Sequence, residues 1–93
     1  MNLKLPNTPE NKKLHLLLEL NLRLANLKDI SGKLFYTNPY LRSVDLRNNR
    51  ITKIPDNICE LPNLWKLRLD YNYLTELPHG IGNLASLEYF TVS

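Results

Sequence analysis

Few side chains in this chain of 93 residues have the types and spacing that catalysis needs. Its single cysteine, Cys59, stands between Ile58 and Glu60, with no histidine nearby in the sequence. A nucleophilic thiol needs a neighbouring base or another group that stabilises the thiolate. We therefore interpret Cys59 as a partly buried structural thiol and expect no nucleophilic chemistry from it.

The two histidines show no spacing that is typical of a metal site. Neither His15 nor His79 has a cysteine or carboxylate nearby in the sequence at a ligand spacing. The motifs of phosphate-binding loops, dinucleotide-binding turns, zinc proteases and paired-cysteine sites are also missing. We expect both histidines to be solvated, His79 in a loop and His15 on a polar face. The sequence therefore favours a protein that is not an enzyme and that binds no metal or cofactor.

The strongest pattern in the sequence is a repeat of 23 residues. Residues 41–63 read LRSVDLRNNRITKIPDNICELPN, residues 64–86 read LWKLRLDYNYLTELPHGIGNLAS, and residues 87–93 begin a third copy as LEYFTVS. A fixed period of this length is typical of a solenoid, in which successive repeats stack and share one core. The stacking predicts these apolar columns: Leu41/Leu64/Leu87, Val44/Leu67/Phe90, Leu46/Leu69/Val92, Ile51/Leu74, Ile54/Leu77, Ile58/Ile81 and Leu61/Leu84.

The spacing L-x-x-L-x-L-x-x-N-x-L in both full copies resembles the leucine-rich repeat family. The rest of each unit is similar to the 23-residue class of intracellular Ras-suppressor and Ras-group proteins. The resemblance implies an α/β fold, a right-handed solenoid with a short parallel β-sheet on its concave side. It is strong across 41–93 and weaker across 17–40, where the unit has 24 residues and Ala25 replaces the asparagine.

We therefore divide the chain into a cap or irregular segment, 1–16, and leucine-rich repeats, 17–93. The repeats are a degenerate unit, 17–40, two clear units, 41–63 and 64–86, and a truncated one, 87–93. In the segment before them, Thr8-Pro9-Glu10 is typical of a helix start, whereas the alternating leucines from Leu14 to Leu24 favour a strand. We expect a helical turn or irregular cap over 9–15 and the first repeat strand near 19–23.

Local patterns inside each repeat predict its elements. Alternation in Val44-Asp45-Leu46 and in Leu67-Arg68-Leu69 predicts short strands. Apolar pairs three residues apart, such as Ile58 with Leu61, predict a short helical or 3₁₀ turn on the return path. In the family the asparagine after each strand bonds backbone groups of the surrounding loop, and the resemblance assigns that role to Asn49 and Asn72.

The variable positions of each strand are expected to point away from the core and to form the concave face, where partners bind in this family. Aromatic and arginine side chains commonly dominate such interfaces. We expect Tyr71 and Tyr89 to be exposed, whereas Trp65 could lie exposed at the rim or pack on neighbouring repeats. The candidate partner-binding residues are Ser43, Asp45, Arg47, Trp65, Lys66, Arg68, Asp70, Tyr71, Tyr89 and Thr91.

Composition limits the classes of partner. The net charge is +3, but Asp45, Asp70 and Glu88 are interleaved with the basic residues, so we expect no nucleic-acid partner. No apolar run reaches the roughly 18 residues that would span a bilayer, and we expect no membrane partner. One cysteine cannot form the internal disulfide caps usual in secreted leucine-rich repeats. That favours a reducing, cytoplasmic location.

The sequence thus predicts a non-catalytic protein–protein interaction module that binds another protein on its concave face. Two alternatives remain open: a structural subunit of a larger assembly, and a regulatory fragment of a larger signalling enzyme. Phe90 and Val92 occupy inward positions of the last predicted strand, and no further repeat in the sequence covers them. We expect this edge to be covered by another chain, by a second copy, or by a continuation of the chain.

Overall fold

The computed structural model describes residues 17–93, and its centre is a sheet of four parallel strands. The strands are β1 (Glu19–Asn21), β2 (Ser43–Asp45), β3 (Lys66–Arg68) and β4 (Tyr89–Thr91), and they lie in sequence order. Each repeat therefore contributes one strand, as the resemblance implied. The cap expected over 1–16, together with His15, lies outside the described residues.

The register of the sheet follows the repeat. Glu19 pairs with Ser43, Ser43 with Lys66, and Lys66 with Tyr89, so the pairing steps are 24, 23 and 23 residues. Strands β2 and β3 start and end one residue earlier than the alternation predicted, and β1 starts at the predicted Glu19 but ends at Asn21. Backbone hydrogen bonds nevertheless continue past their ends, since the Leu46 N–H donates to the Arg68 carbonyl at 2.9 Å.

The core lies between the sheet and the return segments, and it is formed by the predicted apolar columns. The repeat 41–63 sits between two neighbours, and its leucine, valine and isoleucine side chains are buried: Leu41, Val44, Leu46, Ile51, Ile54, Ile58 and Leu61. Two members of the columns differ from the prediction, because Leu77 is 38% exposed and Val92 is 43% exposed. Leu77 lies in the last full repeat and Val92 in the truncated one, at the end of the stack where β4 has only one neighbouring strand.

The return segments differ between repeats. Repeats 41–63 and 64–86 return through the predicted 3₁₀ turns, Asp56–Glu60 and Ile81–Asn83. The degenerate repeat instead forms one turn of α-helix, α1 (Lys33–Tyr36), which buries Phe35 in the core. This helix was not predicted. The Asn57 amide of the next repeat donates to the Gly32 carbonyl at 2.7 Å and joins the two return segments.

Asn49 bonds the turn after β2 to the turn of the preceding repeat. Its side-chain oxygen accepts from the backbone N–H of Ala25 at 3.1 Å and of Leu27 at 2.9 Å. Its amide nitrogen donates to the carbonyls of Leu22, Leu46 and Arg47 at 2.9 to 3.2 Å. The predicted role of Asn49 is thereby confirmed. The same side chain also satisfies the N–H of Ala25, the residue that replaces the asparagine in the first repeat.

Asn72 repeats this arrangement one repeat later. Its oxygen accepts from the Ile51 N–H at 3.1 Å, and its amide donates to the carbonyls of Leu46, Leu69 and Asp70. Asn72 is half-buried, whereas Asn49 is buried. The two amides therefore perform the same function at sites of different solvent access.

The residue before each asparagine position adopts a left-handed backbone conformation. Leu24, Asn48 and Tyr71 occupy equivalent places in successive repeats and have φ values of 59°, 58° and 61°. Asparagine tolerates this conformation, whereas other L-residues are strained by about 1–2 kcal/mol. The turns after β1, β2 and β3 therefore share a backbone geometry that leucine and tyrosine adopt at a cost.

We expect Asn49→Ala to lower the free energy of unfolding by roughly 1–3 kcal/mol, because buried backbone groups of two repeats lose their partner. Asn72→Ala should cost less, since its surroundings are more open to water. The exposed Asn63→Ala is the matched control and should change little. Chemical denaturation followed by circular dichroism measures all three. Equal stability of Asn49→Ala and Asn63→Ala would show that the amide is not structurally important.

Candidate functional site

The concave face is built from rows of side chains that cross the four strands. The strand register places Glu19, Ser43, Lys66 and Tyr89 side by side in one row. A second row contains Asn21, Asp45, Arg68 and Thr91. The predicted site residues on the strands are thus brought together on one surface. Over β2 this surface has an open depression of about 300 Å³, lined by Glu19, Leu20, Asn21, Ser43, Asp45, Arg47, Trp65, Lys66 and Arg68.

Asp45 and Arg47 form an ion pair at the edge of the depression. The Arg47 guanidinium donates to both carboxylate oxygens of Asp45, at 2.9 and 2.8 Å, and the Arg47 backbone N–H donates at 3.1 Å. Asp45 was predicted to point away from the core onto the concave face, and it does line that face. It is nevertheless only 8% exposed, because Arg47, two residues further along, folds back over the carboxylate.

The Arg47 hydrogen bonds hold the pKa of Asp45 below its ordinary value of 3.8, and the nearby charges of Arg47 and Arg68 contribute in the same direction. Burial opposes the shift without reversing it. Asp45 consequently stays ionised on the concave face at neutral pH, where Arg47 compensates its charge.

A cluster of two cations and two aromatic rings occupies the β3–β4 side of the face; we call it the cation–aromatic cluster (Trp65, Lys66, Arg68 and Tyr89). The Lys66 ammonium lies 5.7 Å from the Trp65 ring centroid and 5.3 Å from that of Tyr89. The Arg68 guanidinium lies 5.3 Å from the same Tyr89 ring and donates to its hydroxyl at 3.3 Å. Attraction between cations and ring faces holds both long side chains over the sheet.

The aromatic residues of the site are substantially exposed. Tyr71 is 66% exposed and Tyr89 is 39% exposed, as predicted. Trp65, for which two placements were open, is 41% exposed with the Lys66 ammonium over its ring. Tyr73, which the sequence analysis did not single out, is also exposed.

Asp70 and Thr91 are engaged in contacts within the sheet. Asp70 accepts hydrogen bonds from the hydroxyls of Thr91 and Ser93, so it ties the end of β3 to the end of β4. These two candidate residues lie on the concave face, but their polar groups already have partners inside the protein. They are therefore less available to a ligand than Lys66 or Trp65.

One pair outside this face was missed by the sequence analysis. The Nδ1 of the His79 imidazole lies 3.3 Å from the Asp56 carboxylate, and the backbone N–H of His79 donates to the same carboxylate at 2.9 Å. The two residues are 23 positions apart. The repeat period could therefore have placed them side by side. The imidazole itself is largely exposed, as expected.

Cys59 is half-buried on a 3₁₀ turn. Burial, together with the negative charges of Asp56 and Glu60, raises the pKa of its thiol. A raised pKa disfavours the reactive thiolate. Residues 17–93 contain no group of three or more histidine, cysteine or acidic side chains placed to hold a metal ion. No helix within this described range is long and apolar enough to cross a membrane.

Asp45→Asn should remove a pH-dependent part of the stability. Because the folded-state pKa of Asp45 is depressed, the ionised carboxylate stabilises the fold above pH 3.8, and this gain is lost as the pH falls through the folded-state pKa. Thermal melts should therefore show the largest difference in Tm from the wild type near neutral pH and a smaller one below pH 3.8. Arg47→Gln should behave in the same way. A difference in Tm that does not change with pH would show that the ionised Asp45 carboxylate is not the source of the stabilisation.

Comparison with known proteins agrees with the repeat geometry. The chain is 44% identical over 50 residues to plant intracellular Ras-group-related LRR protein 8 of Arabidopsis thaliana, covering 53% of the chain and 13% of that protein. It is 35% identical over 65 residues to plant intracellular Ras-group-related LRR protein 7 of Oryza sativa subsp. japonica, covering 70% and 25%. Osteomodulin of Rattus norvegicus is 37% identical over 76 residues, covering 81% and 17%. The chain thus spans a quarter or less of each relative's length.

The family model for the leucine rich repeat matches residues 12–74 and 39–93, which together include most of the chain. The plant relatives support the intracellular Ras-group class that the repeat pattern resembled. Four parallel strands in sequence order, joined by short return turns, are the structure expected of such repeats. This chain belongs to the leucine-rich repeat family.

Proposed function

We propose that this chain is a non-catalytic module that binds a protein partner on the concave face of its sheet. Leucine-rich repeat proteins are in general protein-interaction modules, and repeat solenoids use their concave side for extended contacts. The observation that carries the proposal is the presence of Trp65, Tyr71 and Tyr89, all substantially exposed, on and beside this face. Exposed tryptophan and tyrosine are typical anchors of protein interfaces.

The backbone at Tyr71 gives independent support. Tyr71 has a φ of 61°, a conformation in which a bulky L-residue is strained, yet its side chain is mostly in water. The equivalent position in the preceding repeat carries asparagine, which tolerates this geometry. Tyrosine at this place is therefore unfavourable for stability. Because the turn itself imposes this backbone geometry, the unfavourable feature is the exposed tyrosine, and contact with a partner would explain that side chain.

The location we propose is cytoplasmic. The chain has a single cysteine and cannot form an internal disulfide, and the two plant relatives carry the word intracellular in their names. The proposal includes no nucleic-acid or membrane partner, because acidic residues interrupt the basic surface. The absence of catalysis is likewise proposed from the family and from the raised pKa of the Cys59 thiol, which disfavours the reactive thiolate.

A structural subunit is the second candidate, and one observation favours it. Leu77 and Val92 are exposed, and Ile81, Leu87 and Phe90 are only half-buried, in the last return segment and around β4, the terminal strand of the sheet. Exposed apolar side chains together with an open strand edge favour association with another chain. We propose that this edge, formed by β4 and the Leu77 return segment, is covered by another protein, by a second copy or by a further repeat.

The concave-face proposal predicts the effect of removing aromatic anchors. After affinity purification of a partner, Trp65→Ala with Tyr89→Ala should weaken its binding at least tenfold, because the side chains lost are exposed and lie beside the depression. Tyr36→Ala with Tyr40→Ala is a matched control, since both tyrosines are exposed on or after α1, away from the sheet. Calorimetric titration measures both variants. Binding that responds only to the control pair would place the interface on the return segments.

The edge proposal predicts self-association. The isolated chain should sediment as more than a monomer at tens of micromolar, and Leu77→Lys with Val92→Lys should shift it towards the monomer, because charges at an apolar contact are costly. Both substituted residues are exposed, so the fold should tolerate the change. A wild-type chain that is a stable, cooperative monomer at that concentration would refute the proposed association.

A further inference from the structure

The cations of the concave face fall into two groups. Arg47 is held by both oxygens of Asp45. Lys66 and Arg68, by contrast, take part in no ion pair among residues 17–93, where the ion pairs are Arg47–Asp45 and His79–Asp56. Two neighbouring positive charges on the sheet are therefore left without a carboxylate partner in direct contact.

The side chains of both unpaired cations, Lys66 and Arg68, are held in place by aromatic rings in the free protein. Lys66 lies over the rings of Trp65 and Tyr89, and Arg68 lies over Tyr89, with distances to the ring centroids between 5.3 and 5.7 Å. Ordering these long side chains in the free protein lowers the entropy that a ligand must overcome on binding. The cluster therefore combines positive charge with side-chain order.

The surface beside these cations is open. Ser43 is the register partner of Lys66, and Asp45 is that of Arg68. Ser43 has the smallest side chain in its row, and the depression of about 300 Å³ lies over it. An acidic side chain entering above β3, on the side of Ser43 that faces away from Glu19, would meet Lys66 and Arg68. The depression has room for a carboxylate together with the chain that carries it.

We propose that the cation–aromatic cluster is the binding site for an acidic side chain, aspartate or glutamate, of the protein partner, which would place its carboxylate over Lys66 and Arg68. This inference rests on the proposed concave-face function and specifies the chemistry of the partner. Charge complementarity argues for it: Arg47 compensates Asp45, whereas Lys66 and Arg68 keep their charge. Trp65 and Tyr89 would contact the apolar stem of the acidic side chain or its neighbours.

The pattern of charges favours an isolated acidic group over a polyanion. Glu19 lines the β1 side of the same depression, and Asp70 follows β3 beyond Arg68. A nucleic-acid backbone crossing the sheet from the cluster to β1 would therefore meet Glu19 after two strand spacings, roughly 10 Å. A protein segment avoids this repulsion, because it can carry an acidic residue above β3 and a neutral or basic one above β1.

The test is a selection of displayed random dodecapeptides on the immobilised wild-type chain. Peptides that bind should be enriched in aspartate and glutamate. Synthetic copies should bind Lys66→Glu/Arg68→Glu at least tenfold more weakly than the wild type. They should regain binding to that variant when their acidic residue is changed to lysine. Arg50→Glu/Lys53→Glu is the matched control, since it reverses two exposed charges outside the depression, and it should change affinity less than twofold.

Other outcomes separate this inference from the proposed function. The selected peptides could lose binding on Trp65→Ala/Tyr89→Ala and yet show no enrichment in acidic residues and no loss of affinity for Lys66→Glu/Arg68→Glu. That result would overturn the acidic-ligand proposal and leave the concave-face function in place. Selected peptides whose affinity is unchanged by both pairs of substitutions would overturn the acidic-ligand proposal and the concave-face function together. If a single-stranded RNA dodecamer displaces the selected peptides and itself loses binding on Lys66→Glu/Arg68→Glu, the ligand is a polyanion and the proposal is wrong.

Discussion

The structure depends on two asparagine side chains, one buried and one half-buried, that satisfy the backbone where β2 and β3 end. Strands of three residues supply few ladder hydrogen bonds, and the chain must turn immediately afterwards over a packed core. Backbone groups in such a turn would be buried without partners, which is costly. Asn49 and Asn72 each bond their own turn and the preceding repeat. Because of these bonds the strands stay in register, and the rows of side chains on the concave face keep their spacing.

The concave face combines charges neutralised within the protein with charges left free. Asp45 is compensated by Arg47, and Asp70 is bonded to hydroxyls of the last strand. Lys66 and Arg68 rest instead on aromatic rings, which attract a cation without neutralising it. Partner selectivity on such a face would arise from this difference. A charge already paired within the protein attracts a charged ligand weakly, whereas an unpaired charge attracts it more strongly.

Much of the fold could be predicted from the 23-residue period, which identifies the residues that lie one repeat apart. The apolar columns, the parallel strands and the role of Asn49 follow from that period because they depend on neighbours in the stack. The period does not specify side-chain rotamers. The burial of Asp45 results from Arg47 folding back within one repeat, and the contact of Arg68 with the Tyr89 ring is a diagonal contact between strands. Helix α1 was also not predicted, because it lies in the degenerate unit 17–40, whose return segment does not align with those of the two clear repeats.

The sheet order β1-β2-β3-β4 has a consequence for how the molecule opens. Every strand pairs only with strands 23 or 24 residues away, so no contact between strands joins the two ends of the stack. Adding each repeat closes a loop of nearly constant length, and the entropic cost of that closure is therefore about the same at every step. Terminal repeats have one neighbour and inner repeats have two. Local opening should therefore begin at the ends, and the β2–β3 interior, which carries the depression, should be the last part to exchange its amide hydrogens.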